Sequence, residues 1–160
     1  MVVQSARWVV SWPLFAVGGA AIVAGGLVAA ATAPSPSEKG SWAAAYLVLV
    51  VGVAQIGLGA GQAALSTATL STRILGTETI GWNVANAAVI AGTLSNVVSL
   101  VDIGGTLLVA TLAMFATQVR GGEAAFGGRR WPTYVFRGLV VVLLISIPVG
   151  LVLATVRGNH

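Results

Sequence analysis

The residues able to do chemistry are few and unusually placed. The chain has no cysteine, and its one histidine, His160, is the last residue. Disulfides, thiolate metal sites, iron–sulfur clusters and cysteine nucleophiles are therefore excluded. A haem in a helix bundle usually needs an axial histidine within a span, and none lies there, so no metal or cofactor is expected on this chain. The four acids are Glu38, Glu78, Asp102 and Glu123. Serines and threonines are plentiful, but no histidine, cysteine or lysine lies in a long apolar segment to act as their base. The chain is accordingly expected to have no catalytic site of its own.

What remains is a set of amides. Gln55 and Gln62 are seven residues apart in one apolar stretch. Asn83, Asn86, Thr93 and Asn96 are spread through another. In a helix, positions seven apart share a face. Amides within lipid need partners, so these faces should turn toward each other or toward another protein. The alternative is a polar path for water or solute. Asp102 precedes Gly104-Gly105 and reads as a turn residue. No second acid falls in a predicted span, which argues against a proton relay.

The elements that must position these groups are membrane helices. Of 160 residues 57% are hydrophobic and only 8% charged, against about 25% charged in a soluble domain. A bilayer core of about 30 Å takes about 20 apolar helical residues. Spans are predicted at residues 12–33, 41–65, 80–100, 103–119 and 132–156, in a single transmembrane domain covering 1–160. The fold class is an all-α bundle of five transmembrane helices. The runner-up has four, with one long helix broken at Gly104-Gly105. The first segment reads as a span rather than a signal peptide, since its apolar run exceeds a usual h-region.

Charge places the ends. The loop with Arg120, Arg129 and Arg130 is the most basic and belongs on the cytoplasmic side. Five crossings put it there together with Arg7, giving a cytoplasmic N-terminus in a bacterial plasma membrane. The net charge of +4 needs no nucleic acid, since arginines facing anionic lipid account for it. That loop is either a solvated anchor or a contact for lipid phosphates or a partner's acidic surface. Arg137, one turn into the last span, could snorkel to the same level. Trp12, Trp42, Trp82 and Trp131 sit at or near span starts, as an interfacial belt would.

Small residues mark helix contacts. Gly57 and Gly61 form a G-x-x-x-G, and Ala20/Ala24 and Ser146/Gly150 share its spacing. Such pairs let backbones approach closely, within one bundle or between subunits.

The stretches Gly81-Trp-Asn-Val-Ala-Asn-Ala-Ala-Val-Ile-Ala-Gly-Thr-Leu, Val101-Asp-Ile-Gly-Gly-Thr-Leu-Leu-Val and Ser146-Ile-Pro-Val-Gly-Leu-Val-Leu-Ala carry a likeness that extends over about half the chain. They resemble the small accessory membrane subunits of the actinobacterial cytochrome bcc–aa3 respiratory supercomplex. One lysine against seven arginines suits a GC-rich bacterial genome. The resemblance implies a peripheral oxidase subunit whose haem and copper lie in partner subunits, and it carries over no site residue. The function expected is a non-catalytic accessory subunit among other integral membrane subunits, retaining anionic lipid such as cardiolipin. A small homo-oligomeric transporter or channel, or an assembly factor, are the alternatives.

Overall fold

The computed structural model describes residues 8–66, 71–119 and 131–158, with the side chains of 147–158 left out. Every regular element among the described residues is helical. Helix α1 spans Trp12–Thr32, with Pro13 in its first turn, where a missing N–H costs nothing. A short Pro-Ser-Pro connection leads to Ser37, whose Oγ accepts from the Gly40 N–H at 3.0 Å. That cap, with Glu38 behind it, starts α2, Glu38–Leu65. Helix α3 spans Thr72–Ser95, α4 Val98–Gln118 and α5 Trp131–Gly158. Three of these, α1, α2 and α4, are long and apolar enough to cross a membrane. Helix α3 is long enough, at 24 residues, but its Thr, Arg, Glu and Asn dilute its hydropathy.

The break in the long middle region is displaced from the expected one. It falls at Asn96-Val97, between α3 and α4, and not at Asp102. Asn96 adopts the left-handed conformation, φ 58° and ψ 32°, which Asn tolerates better than most side chains. The Val97 N–H then closes on the Gly92 carbonyl at 2.8 Å, a Schellman-type stop. Asp102 lies exposed on α4, with Gly104 and Gly105 buried inside the same helix. The two glycines signalled a close approach rather than a turn. A Cβ on Gly104 would stand 2.8 Å from both the Ala85 carbonyl and the Val89 amide of α3. Backbone therefore rests almost on backbone along the α3/α4 hairpin.

The same device joins α1 to α2, at residues other than those expected. Gly18 and Gly25 are buried against α2, while Ala20 is exposed. A Cβ on Gly18 would meet Ile56 at 2.7 Å, and one on Gly25 would meet Val48 at 2.6 Å. The two helices run antiparallel. The expected pair Gly57 and Gly61 packs within the chain, against Leu139 and Phe136 of α5. Ser146 does not pack this way. It is exposed, and its Oγ donates to the carbonyl of Val142 at 2.6 Å and of Leu143 at 3.1 Å. A short hydroxyl on a helix readily satisfies itself on the preceding turn. Gly150 lies where the helical backbone alone is described.

The core forms where the five helices meet, around Leu14, Leu58, Leu75, Trp82, Phe115 and Phe136. Trp82 is fully buried, edge-on to Phe115 with centroids 6.2 Å apart, so it is no interfacial anchor. Trp12 and Trp131 are exposed. The outer faces carry Val23, Leu27, Leu49, Ile80, Ile103 and Val142, side chains a lipid or another apolar helix would cover.

Gly104→Val should lower stability by about 1–3 kcal/mol, because neither Ala85 nor Val89 backbone can retreat. Gly19→Ala, where a Cβ meets nothing within 4 Å, should be neutral or stabilising by up to about 1 kcal/mol. Thermal unfolding of both variants in one detergent would measure the contrast.

Candidate functional site: a polar seam between α2 and α3

Helix α2 is not a uniform α-helix. Residues Leu47–Ala54 are π-helical, between α-helical Glu38–Tyr46 and Gln55–Leu65. This sets the polar face. Tyr46 and Gln55 are nine residues apart. In an α-helix nine residues turn about two and a half times, which would put the two on opposite sides. The wider π turn takes more residues per revolution, so the same nine complete about two turns. Tyr46, Gln55 and Gln62 thereby face one neighbour, α3.

The rungs follow in order. At one end the Lys39 ammonium donates to the Leu94 carbonyl at 3.0 Å and the Asn96 Oδ1 at 3.1 Å. It closes the last turn of α3 with a cation, where the helix dipole favours one. Next, the Tyr46 hydroxyl donates to Asn86 Oδ1 at 2.9 Å. Asn86, 1% exposed, donates in turn to the Trp82 carbonyl at 2.7 Å. Asn83 donates to Gln55 Oε1 at 3.2 Å and to the Thr79 carbonyl at 2.8 Å. Gln62 Nε2 then donates to both Glu78 oxygens, at 2.9 and 2.8 Å. Ser66 Oγ donates to the Gln118 carbonyl at 3.1 Å, tying the end of α2 to the end of α4. From Lys39 to Ser66 the seam runs the length of α2, about 40 Å for 28 residues at about 1.5 Å each.

The expected amide partners are thus brought together, with exceptions at one end. Gln55, Gln62, Asn83 and Asn86 join the seam. Thr93 bonds its own Val89 carbonyl at 2.8 Å. Asn96 is exposed and ends α3 instead of facing inward. Arg137 is exposed on α5. Arg120, Arg129 and Arg130 lie outside the described residues.

Four members, Lys39, Tyr46, Ser66 and Glu78, are not among the polar residues expected from the sequence. Glu78 falls between the predicted spans 41–65 and 80–100, whereas it lies on α3 with no exposed surface. A signal was available: Glu78, Trp82, Ala85, Asn86 and Val89 are spaced as one helical stripe. Extending the predicted span by one turn before Ile80 would have put Glu78 on it.

Chemically the seam is mainly acceptor–donor pairing, with one ionisable carboxyl near one end. No group of three or more His, Cys, Asp or Glu gathers among the described residues. Comparison with protein-family models, curated proteins and solved structures gives no match.

Two of the three inner rungs, Tyr46–Asn86 and Gln62–Glu78, should differ in weight. Neutral side-chain bonds between membrane helices contribute about 0.6 kcal/mol, at most about 1.7. Bonds to a charged group reach about 1.5–3 kcal/mol. A double-mutant cycle with Tyr46→Phe and Asn86→Leu should give the smaller coupling. One with Gln62→Leu and Glu78→Leu should give the larger, and Gln62→Leu alone should be the most damaging single change. Unfolding in mixed micelles provides the free energies.

Proposed function

We propose that this chain is a non-catalytic accessory subunit of a multi-subunit membrane complex, specifically a peripheral subunit of an actinobacterial terminal oxidase or cytochrome bcc–aa3 supercomplex. The observation that carries the structural part is the direction of the polar groups. The amides and carboxyl that could have lined a path between subunits bond each other inside one chain. The surface left outward is apolar and suited to lie against lipid or the helices of larger subunits. The oxidase part rests on the resemblance of the Gly81, Val101 and Ser146 stretches.

In this reading the chain crosses the plasma membrane five times from a cytoplasmic N-terminus. The loop with Arg120, Arg129 and Arg130 lies on the cytoplasmic side, near Arg137, and holds anionic lipid such as cardiolipin. The chain braces its neighbours through rigid helices, while haem and copper belong to those neighbours.

Purification of the tagged chain from its native membrane in mild detergent tests this. The expected result is stoichiometric recovery of oxidase subunits, with haem a and haem c bands in the reduced-minus-oxidised spectrum. A colourless sample holding this chain alone would overturn the proposal and favour a homo-oligomer that transports.

A further inference from the structure

Three helices bring side chains to the level of Glu78. Gln62 of α2 reaches its carboxyl directly. Register brings α4. A Cβ on Gly81 of α3 would stand 2.9 Å from Thr111 Oγ1 of α4, and one turn further along this antiparallel pair stand Glu78 and Phe115. Trp82 lies one turn from Glu78 on the buried stripe of α3. Its ring meets Phe115 edge-on, so the indole leans back from its own Cα toward the level of Glu78. That is the ordinary direction for an aromatic side chain on a helix. Gln62, Glu78 and Trp82 have no exposed surface.

Two atoms of this group are left over, and they are complementary. Trp82 Nε1 is a buried donor and Gln62 Oε1 a buried acceptor, each without a hydrogen-bond partner among the described residues. Polar atoms are seldom buried in this state. Nothing charged among the described residues faces the Glu78 carboxyl from the packed elements. Helix α1 has no charged residue. Glu38 and Lys39 of α2 and Asp102 of α4 lie at the far end, where Tyr46 also bonds Asn86. Arg137 and Tyr134 of α5 and Arg73 of α3 itself are exposed.

We infer that Glu78, Gln62 and Trp82 form a site that takes up and releases one proton, each state of the carboxyl using one of the two leftover atoms. A carboxylate only accepts. It takes the Gln62 N–H and, by a turn of the Glu78 side chain, the Trp82 N–H one helical turn away. A carboxylic acid also donates. Its O–H donates to Gln62 Oε1, while the Gln62 N–H still donates to the other Glu78 oxygen. Burial and hydrogen-bond donors pull the carboxyl in opposite senses, which brings both states within reach. On ionisation the proton leaves a Glu78 oxygen for water at the near end of α2, where Ser66 lies one turn beyond Gln62. The inference is independent of the partner proposed above.

Nuclear magnetic resonance of the chain in lipid nanodiscs tests it. The variant Glu38→Gln/Glu123→Gln leaves Glu78 as the one glutamate. Cell-free synthesis introduces glutamate labelled with carbon-13 at its carboxyl and tryptophan labelled with nitrogen-15 in its indole. The sample is titrated from about pH 5 to about pH 9, spanning the ordinary and raised carboxyl range. The Trp82 indole is identified by its through-space contact with the Phe115 ring. The expected result is that the carboxyl carbon passes from its acid to its carboxylate position as pH rises, and that the Trp82 indole signal moves downfield with the same midpoint. In Glu78→Gln the indole signal stays in place. In Trp82→Phe the carboxyl midpoint rises by about one unit, since the charged state has lost a donor. A carboxyl signal that stays in place throughout overturns the proton site. A carboxyl that titrates while the Trp82 indole does not, or an indole that titrates equally in Glu78→Gln, overturns the three-residue site. Both signals are read with Glu78 and Trp82 present, so the result does not rest on the folding of either variant.

Discussion

An amide or carboxyl inside a bilayer has no water to bond, and each one left unpaired costs several kcal/mol. The arrangement of this chain follows from that constraint. Two of its helices carry more polar side chains than lipid can accept, and they must lie against each other. The contact between α2 and α3 gives Asn86, Gln55 and Glu78 each a partner in turn, and the other helices are arranged around it. The π-helical stretch of α2 is part of the same solution. Without it, the residues before and after Leu47–Ala54 would face different neighbours.

Glycine completes what hydrogen bonding begins. The seam specifies which faces meet but contributes modest energy at each neutral rung. Close approach at Gly18, Gly25, Gly61 and Gly104 supplies the dispersion contacts that lipid tails do not outcompete. The two devices occupy different interfaces. Amides dominate between α2 and α3, and small residues dominate between α1 and α2 and between α3 and α4. A polar seam inside the bundle and an apolar exterior are what a subunit needs if its role is to fit between larger membrane proteins.

Much of this was legible in the amino-acid sequence, because lipid leaves few choices. Composition alone points to long apolar helices of the kind that can cross a membrane, and seven-residue spacing brings Gln55 and Gln62 to one face. The misreadings share a cause. Gly104-Gly105 looks like a turn by local chemistry, yet its role depends on α3 lying alongside, which local chemistry does not contain. Trp82 looks like a belt residue for the same reason. Glu78 falls outside the predicted spans because its neighbours are Thr, Arg and Gly, while its burial depends on Gln62 sixteen residues away. The π segment has no sequence signature among Leu47–Ala54. Its effect is visible only as the nine-residue interval between Tyr46 and Gln55.

The central claim is that a buried amide–carboxyl contact holds α2 to α3. Solid-state nuclear magnetic resonance can measure it in lipid through the dipolar coupling between the Gln62 side-chain nitrogen and the Glu78 carboxyl carbon. The account predicts strong dephasing, because Gln62 Nε2 lies 2.9 and 2.8 Å from the two carboxyl oxygens, and loss of that signal in Gln62→Leu. A coupling too weak to detect in the folded wild-type chain would contradict it.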